Sequence, residues 1–191
     1  MTMTMTFLKT ALVGTTLVLA SCGAVPDRYT VATPAVTETL RIGFNAVEVS
    51  DVSLPTYAAA DEIVVQDANG KLVPSGAALW ADDPERSVAL ELARNLAKLS
   101  NARVASEPWP FEAFPDARLE VRFESLVAQA DGQFRATGQY FVGVTDERRE
   151  RSGLFDLTVP FDTTGGPKAV TQARGQIILD LAKYIARKGL K

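Results

Sequence analysis

The chain reads as an α/β domain, a mixed and largely antiparallel β-sheet with two amphipathic helices packed on one face as a two-layer sandwich. Alternation of apolar and polar residues in three runs between Leu119 and Phe161 marks a meander of strands. Two stripes at helical spacing, Val88-Leu92-Leu96-Leu99 and Val170-Ala173-Ile177-Leu181-Ile185, mark the helices. A composition of 47% hydrophobic and 23% charged residues belongs to a folded domain and excludes disorder or a collagen-like chain.

In chain order, Tyr29 to Ala32 and Leu40 to Val49 are expected as strands, the latter with Leu40, Ile42, Phe44 and Ala46 alternating against Arg41, Gly43 and Asn45. Ile63-Val64-Val65-Gln66 and Lys71-Leu72-Val73 flank Asn69-Gly70, a pair that turns tight hairpins. Asp83 is placed to cap a helix, with Pro84 at its first position, and the apolar stripe carries that helix to about Leu99. A short strand, Arg103 to Ala105, precedes the meander. In its first strand Leu119, Val121, Phe123 and Val127 face the core and Arg118, Glu120, Arg122 and Glu124 face away. Asp131-Gly132 turns the chain into Phe134, Ala136, Gly138, Tyr140, Val142 and Val144. After a charged loop, Asp146 to Arg151, a third strand carries Phe155, Leu157, Val159 and Phe161. The last helix starts near Pro167, places Lys183, Arg187 and Lys188 toward its C-terminal end and stops at Gly189. Gly175 inside it is expected to pack closely on the sheet.

Residues 1–21 have the form of a secretory signal, with Lys9 before an uncharged stretch too short for the ~20 residues that span a bilayer. Leu19-Ala20-Ser21-Cys22-Gly23 then resembles a bacterial lipobox, which implies cleavage before Cys22 and attachment of lipid to it. Several acyl chains at about 0.8 kcal/mol per buried methylene would make a lasting membrane anchor. The expected organisation is a signal in 1–21, a lipidated N-terminus and short tether in 22–27, and one domain in 28–191. Extended, the five tether residues after Cys22 reach about 17 Å, so the domain stays close to its membrane. Gly23, where an Asp would mark inner-membrane retention under enterobacterial sorting, points to the outer membrane.

With no histidine and one cysteine, the chain lacks the parts for Ser-His or Cys-His catalysis, ordinary zinc sites and an internal disulfide. A net charge of −3 without a basic face gives nucleic acid no electrostatic hold. Carboxylate pairs at Asp61-Glu62, Asp82-Asp83 and Glu147 to Glu150 read as surface acids. Asp67-Ala68-Asn69-Gly70 reads as a turn and not a calcium loop, because the later ligands are missing. Gly165-Gly166, before the last helix, could cradle an anion only weakly, without a phosphate-binding fingerprint. No catalytic residue, metal or cofactor is expected.

Two features are candidates for partner contact. The loop Glu107 to Pro115 carries Trp109, Phe111 and Phe114 among prolines, either packed back on the sheet edge, which is the favoured reading, or presented to lipid or protein. The outward face with Arg118, Glu120, Arg122 and Glu124 is either solvated or a contact surface.

Leu54-Pro55-Thr56-Tyr57, Glu62-Ile63-Val64, Leu79-Trp80-Ala81, Asn95-Leu96 and Pro108-Trp109, in that order after a lipobox, resemble the PqiC/YmbA family of ABC-type transport auxiliary lipoproteins. The resemblance spans nearly the whole domain and departs at Asp82-Asp83-Pro84. It implies an outer-membrane lipoprotein, facing the periplasm of a Gram-negative bacterium, that works with a membrane-embedded MCE (mammalian cell entry) protein in moving lipid between membranes and keeping them intact. It brings no catalytic residues. Several copies are expected to associate around such a partner, with phospholipid as a further possible ligand. A structural or assembly lipoprotein of the outer membrane, or a lipid-carrying domain with its own cavity, are the alternatives. Within the motifs, Leu54, Pro55 and Tyr57 are expected to fix a turn and Trp80 to fill core.

Overall fold

A computed structural model describes residues 25–144 and 150–191. The expected signal, the lipid-accepting Cys22 and most of the charged loop after Asp146 lie outside the described residues. Eleven elements follow in order: β1 (Arg28–Tyr29), β2 (Ala46–Ser53), α1 (Thr56–Ala59), β3 (Glu62–Gln66), β4 (Leu72–Trp80), α2 (Pro84–Leu99), β5 (Arg103–Ser106), β6 (Ala117–Gln129), β7 (Gln133–Val144), β8 (Arg151–Pro160) and α3 (Gly166–Lys188). The eight strands form one mixed sheet. Its two long ladders, β6 with β7 and β7 with β8, are antiparallel. The parallel pairings of β2 with β5 and of β2 and β3 with β6 are shorter. The sandwich expected from the sequence is present, with α2 and α3 packed on each other and on the sheet.

Strand β6 organises the sheet because it is 13 residues long and its two edges are used differently. One edge pairs with β7 from Ala117 to Ala128. The other edge is shared: β2 takes Ala117 to Arg122, and β3 takes Ala128 and Gln129. The sheet therefore forks, and the backbone of β6 between the branches needs a partner from elsewhere. Tyr57, on the short helix α1 in the fork, supplies it: its hydroxyl accepts the Leu126 amide at 3.2 Å and lies 3.4 Å from the Ser125 hydroxyl. Leu54, at the turn before α1, donates its amide to the Glu85 carboxylate at 3.0 Å. The turn out of β2 is thus tied to both layers.

The predicted helix α2 starts as expected, with the Asp83 carboxylate accepting the Arg86 amide at 2.8 Å. Val88, Leu92, Leu96 and Leu99 are fully buried, each contributing roughly 1.5–3 kcal/mol. The β3–β4 hairpin turns at Asn69-Gly70 under the Asp67 carboxylate, which accepts the amides of Asn69 and Lys71 at 2.9 Å each. Strand β4 continues beyond the expected Val73 as far as Trp80.

Four expectations are corrected. The strand predicted over Leu40 to Val49 begins at Ala46 and runs to Ser53. The segment before it keeps its alternating burial, but its amides bond the ends of the helices, Leu40 to the Leu99 carbonyl and Gly43 to the Leu190 carbonyl. The first strand has only two residues, and Val31 and Ala32 instead cross α3 at Gly175. Gly175 therefore packs on that strap and not on the sheet, and a Cβ there would overlap the Ala32 carbonyl oxygen. Val127 does not share a face with Phe123, because a bulge between Phe123 and Ser125 shifts the register. Beyond it Leu126 and Ala128 take the core side, opposite Ala136 and Phe134. Gly138 faces the bulge, where a Cβ would collide with the Arg122 carbonyl.

Candidate functional site

Most of the sequence's candidate chemistry is consumed by the fold. Asp83 is a cap, Asp82 pairs with Arg86, and Asp67 holds its own turn. The turn that leads into Gly165-Gly166 is held by Asp162, whose carboxylate accepts the Thr164 amide and hydroxyl at 2.8 and 2.7 Å, and α3 has no side-chain cap. Those bonds, with one from the Gly165 amide, hold the Asp162 pKa below the usual carboxylate value. Among the described residues no group of three or more His, Cys, Asp or Glu is arranged to hold a metal.

The outward face of the meander satisfies itself. Arg118 reaches the buried carboxylate of Glu48 at 2.8 Å, and Arg122 reaches Glu120 at 2.5 Å while lying over the Phe141 ring. Glu124 accepts from Gln139 at 3.1 Å, and Arg135 forms a two-pronged pair with Asp156. These four predicted residues share a face but converge on no centre.

Sequence reasoning missed a charged cluster between the helices. Arg174 is 2% exposed and Glu91 5% exposed, with 3.4 Å between guanidinium and carboxylate. The guanidinium also bonds Ser87 and the Pro84 carbonyl and lies 4.5 Å over the Trp80 ring. Burial pushes the Glu91 pKa up despite Arg174 and Arg94 beside it, and pushes that of Arg174 down. Glu91 Oε2, Asn95 Oδ1 and Arg174 Nε have no hydrogen-bond partner. The only sequence signal was an arginine at the edge of an apolar helical face. The cleft beside the cluster, lined by Tyr29, Val31, Trp80 and Arg94 among others, encloses about 190 Å³. That is below the roughly 300 Å³ at which small-molecule sites begin. The void between the layers near Tyr57, Leu126 and Phe134 holds about 20 Å³, room for about one water.

The aromatic loop does the reverse and places apolar rings outside. Packing of all three rings into the core, the favoured expectation, is corrected: Trp109 is half-buried, Phe111 is 40% exposed and Phe114 85% exposed. The loop is nonetheless ordered by its own contacts. The Trp109 indole donates to the Ala113 carbonyl at 2.7 Å and meets Phe111 edge to face at 4.9 Å, while Arg103 of β5 lies 4.7 Å over Phe111. Asp116 fastens the end of the loop by accepting the amides of Asn45 and Ala46. Phe114 stands free of this knot and lines a groove with Ala117, Arg118, Gly143 and Val144.

The fold therefore presents an ordered apolar loop at its surface and a buried charged pair between its helices. The family model for the ABC-type transport auxiliary lipoprotein component matches residues 29–186, and the chain belongs to that family. It is thereby a transport auxiliary of lipoprotein type, and the PqiC/YmbA resemblance is borne out. Two crystal structures are similar in fold. One, of an uncharacterized protein, has a TM-score of 0.65 at 20% identity and covers 78% of this chain and 94% of its own. Another, from Xanthomonas campestris and of the DUF330 family, has a TM-score of 0.60 at 16% identity and covers 83% and 94%. No curated protein sequence matches the chain.

Proposed function

We propose that this chain is the lipid-anchored, non-catalytic subunit of an envelope lipid-transport system, held on the outer membrane through Cys22 and joined to an MCE-domain protein. In this role it helps keep the membranes intact. The observation that carries the reading is the family match across residues 29–186, which takes in every helix and nearly every strand. Its family motifs serve the fold: Tyr57 fills the fork, Trp80 supports Arg174, and Leu96 lies in the core. What remains for function is a surface. No helix among the described residues is long and apolar enough to cross a membrane, and the lipobox at Leu19-Ala20-Ser21-Cys22-Gly23 supports attachment through Cys22. The void of about 20 Å³ between the layers is too small for an acyl chain, and the clefts of about 190 to 400 Å³ lie open at the surface, which speaks against a domain that carries lipid inside itself. Several copies gathered around one multimeric partner would suit a small auxiliary domain.

Affinity purification of the tagged full chain from detergent-solubilised envelopes is the test. Recovery of an MCE-domain protein from wild type, and its loss with Cys22→Ser, is the expected result. Stable association with outer-membrane proteins alone would replace this reading with that of an assembly lipoprotein.

A further inference from the structure

The topology sets the aromatic loop and the N-terminal entry of the chain at opposite ends of the sheet. Strand β1 runs parallel to β4, β4 antiparallel to β3, and β3 parallel to β6. Hence β1 runs against β6, and the chain before Arg28 leads toward the end where the β3–β4 and β6–β7 hairpins turn. Arg28 pairs with Leu79, Leu79 with Glu62, and Val65 of the same strand with Ala128. The entry thus stands near the level of Ser125 on β6. Phe114 stands beside Ala117, about eight residues or roughly 27 Å nearer the other end at ~3.4 Å per residue. Cys22 precedes Arg28 by six residues, so it stays within about 20 Å of that entry, short of the level of Phe114.

We infer that the loop carrying Trp109, Phe111 and Phe114 is the membrane-distal docking surface for the transport partner, which meets it with an apolar pocket rimmed by basic side chains. The inference rests on the anchored-adapter reading. An anchor at one end turns the other end away from its own membrane, so the exposed rings face the aqueous gap and not the lipid that holds the chain. Folding gives no reason for Phe114 to stand 85% exposed. Aromatic side chains held rigid by neighbours are the usual anchors of protein interfaces, because they bury large area at little entropic cost. The charge of the rim follows from the residues around the rings: Glu107 and Glu112 form no ion pair among the described residues and Glu150 lines the Phe114 groove, while Arg118 there is paired with Glu48 and Arg103 lies over Phe111.

Photocrosslinking amino acids placed singly at Phe111, Phe114, Asn69 and Asp131 of the full chain, in living cells, separate the two ends. The expected result is an adduct with the MCE-domain protein at Phe114 and Phe111, and none at Asn69 or Asp131. Adding Glu107→Lys and Glu112→Lys should lower the Phe114 adduct about tenfold, as loss of an interface hot spot does. Phospholipid, or a second copy of this chain, as the sole adduct at Phe114 overturns the inference. If the transport protein is captured only from the hairpin end, the adapter reading stands and this surface falls. If no position captures it and it does not co-purify, both fall.

Discussion

Two places in this molecule invert the ordinary distribution of side chains, and they do so for different reasons. Between α2 and α3, Arg174 and Glu91 carry charge into the core; on the loop after β5, Phe111 and Phe114 carry apolar rings out of it. The buried pair has internal partners for most of its polar atoms, Glu91 Oε2 and Arg174 Nε excepted: Ser87, Pro84 and Trp80 receive the guanidinium, and the pair joins one helix to the other. The exposed rings differ. Trp109, Phe111 and Arg103 hold the loop's shape, yet Phe114 gains no internal burial by it. An unusual group with internal partners speaks of folding, and one without them speaks of a partner.

The largest effect should come from breaking the buried pair. Arg174→Leu leaves Glu91 buried and unpaired, and urea unfolding should show a loss of about 3–5 kcal/mol. Replacing both, Arg174→Met with Glu91→Leu, should restore most of it, because the cost lies in the orphaned charge. A double variant as unstable as the single one would show that the pair has a role beyond mutual neutralisation.

Next in size is Gly175→Ala. The strap at Ala32 must move to admit the methyl group, at a cost of about 1–3 kcal/mol typical of overpacking. The loss should appear in unfolding midpoints and as faster amide exchange in residues 29–32. An unchanged midpoint would mean that the strap adds little to holding α3.

A smaller and pH-dependent effect comes from Glu91 itself, which faces Arg174, Arg94 and Ser87. Burial raises its pKa in the folded state, so the folded chain holds this proton to higher pH than the unfolded chain does. Stability should therefore fall as pH rises from the ordinary glutamate range through the raised value. Unfolding free energies measured at successive pH values upward from the ordinary glutamate range should show this component in wild type and lack it in Glu91→Gln. The same slope in both proteins would assign it to other groups.

The contrast between the two places also marks how far the sequence could be read. Both helices, the β3–β4 hairpin and the meander were legible because a stripe or an alternation states which side is buried. The fork at β6 was not, since Leu126-Val127-Ala128 is apolar on both faces and only the bulge opposite Gly138 decides which face is core. Leu40 to Phe44 alternate like a strand, but their amides find helix ends, a choice fixed by tertiary position. Arg174 was invisible because its partners lie some 80 to 90 residues away, at Glu91, Ser87 and Pro84. The aromatic loop was visible as a motif, yet its exposure was not, because hydrophobicity alone cannot say whether a ring meets its own core or another protein's.

The smallest expected change in stability belongs to the loop, and there the central claim is most directly tested. Phe114→Ser, in the full chain, should shift unfolding free energy by no more than about 0.5 kcal/mol, as surface substitutions do. In the same cells, recovery of the MCE-domain protein with this variant should drop about tenfold while membrane attachment is unchanged. A variant that keeps full recovery of that protein, or loses it only because the domain unfolds, would contradict a docking role for the exposed rings.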